Sequence, residues 1–297
     1  MKILLLGKNG QLGWELQRAL APLGEVFAPG RDAGGDLADI GGLTEMAFES
    51  GAHVIVNAAA YTAVDKAEDP AEQDRCMDVN AGAPAALAMV ARETGALLVH
   101  YSSDYVFDGS GDAPRDEEAS PGAESVYGES KAAGDFSIET SGCAHLILRT
   151  SWVYGARGGN FAKTMLRLAQ ERDEIKVVAD QVGAPTGAEL VADVSAHMIR
   201  HTLVNPALSG LYNVVAAGET SWHGYAQHVI EAARARGLPI RVKAENLRAI
   251  PTSDYPTPAV RPLNSRLSTD KVRRHFGLTL PHWTQGVDRM LNEILPG

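Results

Sequence analysis

The sequence predicts an α/β fold, in which a doubly wound parallel sheet carries a smaller C-terminal lobe. Short apolar runs alternate with longer amphipathic stretches through the first 150 residues, which is typical of βαβ units. A glycine-rich turn directly follows the first apolar run, where a strand of such a sheet would end. After about residue 150 the loops become longer and richer in Pro and Gly, which indicates a second lobe over the carboxyl edge of the sheet.

Five apolar runs are predicted strands, and six amphipathic stretches are predicted helices. The strands are residues 2–6, 25–28, 53–57, 96–102 and 144–149. The helices are residues 11–21, 42–50, 71–94, 126–140, 187–202 and 221–236. Gly95 is the expected C-cap of the third helix, since glycine adopts the left-handed conformation required there.

Charge and composition narrow the class of partner. The 297 residues carry a formal net charge of −10, which argues against a nucleic-acid backbone as general partner. No run approaches the roughly 20 apolar residues of a membrane span, so we expect no membrane partner and a cytoplasmic location. Cys76 and Cys143 lack metal-ligand spacing, and we expect them to be reduced structural thiols.

The glycine turn predicts a dinucleotide site. Gly7, Gly10 and Gly13 follow the first strand with G-x-x-G-x-x-G spacing and open the first helix around Gln11 and Leu12. Glycines permit a tight turn and close backbone approach, and a helix N-terminus attracts a pyrophosphate. We therefore expect a dinucleotide-binding domain over residues 1–150, to which later segments return, and a mainly substrate-binding lobe over residues 151–297.

The end of the second strand bears on the choice between NADPH and NADH. An acidic residue there would hold the adenosine 2′-hydroxyl, but Gly30 and Arg31 stand at that place. Arg31 suits a 2′-phosphate, which favours NADPH, although Asp32 lies next to it. Asp36 and Leu37 are expected to border the adenine.

A tyrosine and a lysine predict the reaction. Tyr127 and Lys131 are four residues apart at the start of a predicted helix, which places both on one face. A nearby ammonium stabilises phenolate, so we expect Lys131 to lower the pKa of Tyr127. Ser103 ends the fourth strand and is expected to donate to a substrate carbonyl while Tyr127 delivers a proton. Ser102 is its rival, because strand alternation points only one of them that way.

With these motifs, the chain resembles the extended short-chain dehydrogenase/reductase superfamily. The resemblance is carried by the glycine turn, residues 101–107 (Tyr-Ser-Ser-Asp-Tyr-Val-Phe) and the Tyr127/Lys131 pair. It extends over nearly the full length through residues 10–15, 57–68, 149–155, 180–186 and 261–267. It implies a Rossmann domain with a substrate lobe. It also implies NAD(P)H-dependent reduction of the 4-keto group of dTDP-4-dehydro-β-L-rhamnose, a step of dTDP-rhamnose synthesis.

The resemblance also implies site residues. Contacts to NADPH or NADH are implied at Gly10, Gln11, Leu12, Asp36, Leu37, Ala60, Tyr61, Thr62, Tyr127 and Lys131. Contacts to the dTDP-sugar substrate are implied at Ser103, Asp104 and Trp152. Glu15 and Glu189 match glutamates that bind Mg²⁺ between subunits in some relatives, so Mg²⁺ and a homodimer are open expectations.

Two of these residues have alternative interpretations. Trp152 offers a flat face for a sugar ring, or is a core aromatic residue. Arg261 has the planar fork that suits a diphosphate, or forms a salt bridge that closes the C-terminal lobe.

Two other functions compete with a reductase. One is a non-catalytic NADP-binding regulatory subunit resembling the methionine adenosyltransferase β subunit; the intact Ser103/Tyr127/Lys131 set favours an enzyme instead. The other is a nucleotide-sugar epimerase or dehydratase. Dehydratases of this superfamily carry an added acid pair, whereas Asp104 is followed here by Tyr105, which argues against dehydration.

Overall fold

The computed structural model describes residues 1–295 and is built around a six-stranded parallel sheet. Its strands are β1 (Lys2–Leu6), β2 (Glu25–Phe27), β3 (Val54–Asn57), β4 (Leu97–Ser103), β5 (His145–Thr150) and β10 (Gly210–Asn213). They lie in the order β10-β5-β4-β3-β1-β2, and every neighbouring pair is parallel. The order reverses direction beside β1 and β3, which opens a crevice at the carboxyl ends of the strands.

Residues 1–295 also contain ten α-helices, six of which cover the two faces of the sheet. The helices are α1 (Gln11–Leu20), α2 (Ile40–Glu49), α3 (Pro70–Met77), α4 (Ala83–Thr94), α5 (Val126–Thr140), α6 (Phe161–Glu171), α7 (Ala188–Val204), α8 (Trp222–Ala235), α9 (Asp270–Phe276) and α10 (Trp283–Ile294). Apolar side chains of α1, α7 and α9 pack on one face, and those of α2, α4 and α5 pack on the other. Burial of both faces explains why the strands are continuous apolar runs.

Helices α6, α8 and α10 form the lobe beside the carboxyl edge, with an apolar core of their own. Six short strands accompany them: β6 (Val153–Tyr154), β7 (Ile175–Val178), β8 (Val182–Gly183), β9 (Thr186–Gly187), β11 (Thr220–Ser221) and β12 (Leu247–Ile250). These pair in three two-stranded sheets. The sequence did not predict them, because four of the six have only two residues and show no alternation.

The predicted single helix over residues 71–94 is wrong in one respect. A π-helical turn over Asp78–Gly82 separates α3 from α4. Pro84 follows in the first turn of α4, and a proline has no N–H to donate to the carbonyl of Asn80 four residues earlier. The ladder therefore widens at this point, and Asn80 turns inward, where it is 1% exposed.

The α/β class with a parallel sheet is confirmed, and the strands and helices of the first half lie within a few residues of their predicted bounds. The division into a dinucleotide-binding domain and a substrate lobe stays a prediction. Cys76 and Cys143 are buried and unpaired with each other. Within residues 1–295, every helix is too short or too polar to cross a bilayer.

Candidate active site

The predicted site residues gather at one edge of the sheet, because parallel strands end together. Gly7 follows β1, Ala58 follows β3, Ser103 ends β4 and Trp152 follows β5. Helix α5 brings Tyr127 to the same edge beside Ser103, whose hydroxyl influences the pKa of the phenol. The crevice at a reversal of strand order is where open α/β sheets bind their ligands.

The glycine turn is shaped by close backbone contacts. Gly7 has φ +84, and a Cβ there would lie 2.7 Å from the backbone of Ala58 and Ala59. A Cβ on Gly13 would lie 2.0 Å from the carbonyl oxygen of Gly7, whereas one on Gly10 would find only that same oxygen at 3.4 Å. Helix α1 begins here with no side-chain cap and no acidic residue in its first turn. Its free N–H groups and positive dipole end fit the pyrophosphate of a dinucleotide.

The other predicted cofactor residues lie along the strand ends nearby. Arg31 is exposed at the start of a short helical turn after Gly30. Asp36 accepts the N–H of Ala38 at 3.2 Å, and Leu37 is buried against the sheet. Gln11 and Leu12 are half-buried in the first turn of α1.

The 60–62 segment is held by one buried amide. The Asn80 Oδ1 atom accepts the N–H of Tyr61 at 2.8 Å, and Nδ2 of Asn80 donates to the Tyr61 carbonyl at 3.1 Å. The same Nδ2 donates to Ser130 at 3.0 Å, so Asn80 ties Ala60, Tyr61 and Thr62 to the helix that carries Tyr127. Asn80 lies in the π-helical turn. The sequence did not predict that turn, and so it did not predict these contacts of Asn80.

Two caps fix the start of α5 and with it the position of Tyr127. Ser125 accepts the N–H of Gly128 at 3.1 Å, and Glu68 accepts the N–H of Val126 at 2.9 Å. A Cβ on Gly128 would lie 2.2 Å from the Tyr105 carbonyl, so glycine lets the helix approach the turn after β4. The Tyr127 and Tyr105 rings meet edge to face with centroids 5.5 Å apart.

Tyr127 does not have the lowered pKa that was expected from its neighbour Lys131. Burial raises the pKa of Tyr127 above its ordinary value, Asp104, Tyr105 and Cys76 act in the same direction, and the Ser103 hydroxyl acts against them. Lys131 is 1% exposed, and its Nζ atom lies 2.7 Å from the Tyr101 carbonyl and 3.0 Å from Nε2 of His100. Burial lowers the pKa of Lys131 to about 8, because an ammonium loses hydration there.

Strand alternation separates the two serines as expected. The Ser102 hydroxyl donates to Asp135 on α5 at 2.8 Å, while the Ser103 hydroxyl donates to Asp104 at 3.0 Å. Burial raises the pKa of Asp104 to about 6, while the hydroxyls of Ser265 and Ser103 lower it. Its Oδ2 atom is buried and has no hydrogen-bond partner within residues 1–295.

A buried ion pair lies directly behind these serines. Arg149 on β5 and Asp135 on α5 are 3% and 2% exposed, with Nε and Oδ2 3.0 Å apart. Burial raises the pKa of Asp135, while Arg149 and Lys131 counteract it. The pair joins the strand that leads to Trp152 to the helix of Tyr127.

Trp152 has a left-handed backbone, with φ 49, a conformation that costs energy in a residue with a side chain. Its ring stacks on Trp222 with centroids 3.7 Å apart. Trp222 donates to Gln181 at 3.0 Å, and Gln181 donates to Thr252 at 3.1 Å. These partners, which the sequence analysis missed, hold one face of the Trp152 ring; they come from segments distant in sequence.

Arg261 forms the salt bridge that was the alternative to diphosphate binding. Its Nη2 atom lies 2.6 Å from Asp65, and its Nη1 atom donates to the Tyr105 hydroxyl at 3.2 Å. Asp65 also accepts the N–H of Ala259 at 3.3 Å. The proline-rich 251–262 segment is thereby fastened to the loop after β3.

Glu15 and Glu189, the expected metal ligands, line one groove of about 540 Å³ together with Glu293, Arg18 and Arg289. Arg18 binds Glu15 at 3.3 Å. Burial raises the pKa of Glu189, with Glu15 and Glu293 acting in the same direction and Arg289 against them. Among the residues described, no three acidic, histidine or cysteine side chains cluster as a metal site would require. One chain alone does not fit Mg²⁺ here.

Comparison with known proteins agrees with this geometry. The family model described as the RmlD substrate binding domain matches residues 1–295. The dTDP-4-dehydrorhamnose reductase of Escherichia coli (strain K12) is 52% identical over 99% of this chain and 98% of its own length. The crystal structure of a dTDP-4-dehydrorhamnose reductase from Clostridium acetobutylicum is 33% identical, with a TM-score of 0.88 over 99% of both chains. That of the Bacillus anthracis enzyme in complex with NADP is 33% identical, with a TM-score of 0.86 over 98% of this chain and 99% of that one.

Proposed function

The chain belongs to the RmlD family of dTDP-4-dehydrorhamnose reductases, and we propose that it reduces the 4-keto group of dTDP-4-dehydro-β-L-rhamnose with NADPH or NADH. The product is dTDP-L-rhamnose. One observation carries the assignment of roles: Ser103 ends β4, and Tyr127 in the first turn of α5 packs its ring on Tyr105 directly after that strand, at the edge that also holds the glycine turn. Residues 1–150 supply most of the cofactor site, and residues 151–297 most of the substrate lobe.

The chain's own residues perform binding and proton transfer. The pyrophosphate would bind at the start of α1, against Gly7, Gly10, Gln11, Leu12 and Gly13. Arg31, exposed in the turn after β2, would bind the 2′-phosphate of the adenosine, and its guanidinium supports a preference for NADPH. When bound, the reduced nicotinamide supplies the hydride that attacks C4 of the sugar.

Tyr127 donates the proton that the former carbonyl oxygen needs, and Ser103 donates a hydrogen bond to that oxygen. Burial keeps Tyr127 in its protonated, donating form at neutral pH because it raises the pKa of the phenol. Lys131 follows one turn later on α5, where it contacts the ribose and stabilises the phenolate left after proton transfer.

Asp104, Trp152 and Arg261 bind the rest of the substrate in this proposal. The buried Oδ2 atom of Asp104 lacks a hydrogen-bond partner within residues 1–295, and a sugar hydroxyl would supply one. Trp152, whose ring stacks on Trp222, would pack against the sugar ring. Arg261 would exchange part of its bond to Asp65 for the diphosphate, since its fork has donors for both.

Mg²⁺ and a homodimer belong together in the proposal. Glu15 and Glu189 face one groove, and a second copy of the chain would add the carboxylates that one copy lacks. Sedimentation with and without a chelator tests this: loss of the dimer on chelation supports it, and an unchanged state contradicts it. We also propose that the enzyme acts in the cytoplasm, where nicotinamide cofactors are found.

The decisive experiment measures NADPH oxidation with dTDP-4-dehydro-β-L-rhamnose. Tyr127→Phe should lower kcat by about 10²–10⁴-fold, the range for a lost general acid, and leave NADPH binding within about twofold because it removes the proton-donating hydroxyl alone and keeps the ring. Tyr212→Phe is the control, because its hydroxyl bonds the Leu208 carbonyl in a structural role. Full turnover by Tyr127→Phe, or none by the natural sequence, would refute the proposal.

A further inference from the structure

Lys131 contacts a buried histidine, His100, to which the proposed reaction assigns no role. His100, in the middle of β4, is 1% exposed. Its Nε2 atom lies 3.0 Å from Nζ of Lys131, and its Nδ1 atom lies 3.3 Å from Nδ2 of Asn57. Asn57 in turn accepts the N–H of Ala59 at 3.2 Å. The ring therefore stands between the end of β3 and the tip of Lys131.

The contacts require a neutral ring. Burial and the charge of Lys131 both lower the pKa of His100 well below its ordinary value. A neutral imidazole has one N–H and one acceptor nitrogen. When Lys131 is an amine, Nε2 carries the ring proton and Nδ1 accepts from Nδ2 of Asn57, as the structure has it. When Lys131 is an ammonium, Nε2 accepts from it and the ring proton moves to Nδ1, so the Asn57 amide must turn its Oδ1 atom towards the ring and release the N–H of Ala59. The position of the ring proton thus follows the protonation of Lys131.

The surroundings of Lys131 leave His100 as its principal side-chain partner. Besides His100, Nζ reaches the backbone carbonyl of Tyr101 at 2.7 Å. Asp135 on the same helix and Cys76 on α3 act on the pKa of Lys131 only through space, and Asp135 is already engaged by Arg149. Tyr127 lies one turn before on α5 and makes no hydrogen bond to Lys131 within the described residues.

A long flexible side chain buried at a reaction centre needs such support. Fixing a lysine side chain costs about 1.5–2 kcal/mol of rotamer entropy, and an ammonium without acceptors in the interior costs more. A leucine at position 100 would fill the strand equally well as packing. A histidine held by Asn57 instead supplies, at one defined point, a donor to the amine of Lys131 or an acceptor to its ammonium.

We propose that His100 is a positioning residue for Lys131, with Asn57 orienting its ring, so that Nζ of Lys131 stays aligned with Tyr127 for proton transfer. His100 itself touches neither substrate nor cofactor. The expected effect of His100 on kcat rests on the proposed function. The expected protonation state of its ring does not depend on that function.

Two substitutions of the same residue test the kinetic consequence. His100→Gln places an amide group about as far from the backbone as the Nε2 atom of histidine. His100→Asn places its amide group only about as far as the Nδ1 atom, too short to contact Lys131. We expect His100→Asn to lower kcat by about tenfold, the effect of one lost hydrogen bond to a charged group, with KM for NADPH little changed. His100→Gln should recover most of that loss. His53→Gln, an exposed histidine at the start of β3, is the matched control and should leave kcat unchanged.

The pH profile gives a readout that simple packing would not move. An ammonium with fewer acceptors loses its proton more easily, so the alkaline limb of kcat should move to lower pH in His100→Asn and stay in place in His100→Gln. Equal kcat and equal pH limbs in the two variants would overturn the proposal.

NMR of the ¹⁵N-labelled imidazoles tests the structural consequence without turnover. The signal lost in His100→Gln identifies His100. We expect a neutral ring from pH 5.5 to 9, with one change of the ring shifts near the pKa of Lys131, and no such change in Lys131→Met. A ring that becomes protonated near pH 6.5 would overturn the proposal even if the enzyme is active. Failure of the natural sequence to reduce the substrate would refute only the proposed function.

Discussion

Two sides of the crevice are built in different ways. On one side, the glycine turn over residues 7–13 takes its shape from backbone contacts between neighbours in the sequence and with the end of β3. On the other side is a buried polar network, consisting of Asn57, Asn80, His100, Ser102, Ser130, Lys131, Asp135 and Arg149. The side-chain hydrogen bonds of this network join residues separated by 14 to 50 positions.

Because the two sides are built differently, substitutions in the glycine turn and in the polar network should affect different properties of the protein. The turn contains no charged pair, so its substitutions should affect ligand binding through steric clashes. The network replaces water with fixed partners for buried charges, and the loss of one partner leaves another unpaired. Its substitutions should therefore affect stability as well as catalysis.

The largest effect is expected from Arg149→Met. It leaves Asp135 buried with Ser102 as its remaining partner, and breaking a buried pair costs about 3–5 kcal/mol. Urea unfolding measures the change. Arg167→Met is the control, because its pair with Glu171 is exposed and contributes about 0.5 kcal/mol or less. Similar losses in both variants would show that the network does not act as described.

The turn is tested by Gly13→Ala against Gly41→Ala, which lies on α2 outside the turn. A Cβ at position 13 meets the Gly7 carbonyl oxygen at 2.0 Å, whereas one at position 41 finds only Oδ1 of Asp39 at 3.8 Å. We expect NADPH binding to weaken about 100-fold in Gly13→Ala, which is about 2.7 kcal/mol, and to change little in Gly41→Ala. Fluorescence titration of NADPH measures both, with circular dichroism as a check of folding. Equal affinities would contradict the steric explanation.

Asp104→Asn tests the cost of a buried carboxyl group at the border of the two sides. The pKa of Asp104 is about 6 in the folded chain and about 3.9 in an unfolded one. Between these values the folded state binds more protons, so this group lowers stability as pH rises from about 4 to 6, and the loss persists above that. The Tm advantage of Asp104→Asn should therefore grow from near zero at pH 4 to roughly 2–4 °C at pH 7. An advantage that shrinks as pH rises would contradict the raised pKa.

The smallest effect is expected at the exposed Arg31. Arg31→Ala should weaken NADPH binding about tenfold, or about 1.4 kcal/mol, and leave NADH binding unchanged, because only NADPH carries a 2′-phosphate. Added salt should reduce the difference, since exposed charges are screened. Equal weakening of both cofactors would remove the argument for NADPH.

The same comparison explains which predictions held. The α/β class, the parallel sheet and the bounds of α1 and α5 follow from local periodicity and glycine spacing, and the structure agrees with them. The π-turn at Asp78–Gly82 and the partners of Lys131 were not predicted, since both depend on contacts between separate elements. His100 is buried in the middle of β4, and its partner is the lysine of the reaction.

The sequence alone determined the sheet, the glycine turn and the pair Tyr127 and Lys131 on one face of a helix, because each is encoded within a few neighbouring residues. Only the tertiary structure decided what Lys131 contacts, which of Ser102 and Ser103 stands beside Tyr127, and that Arg261 binds Asp65. The physical reason is that a buried charge or hydroxyl must find a partner wherever the folded chain presents one, and that place is set by packing between strands and helices far apart in the sequence.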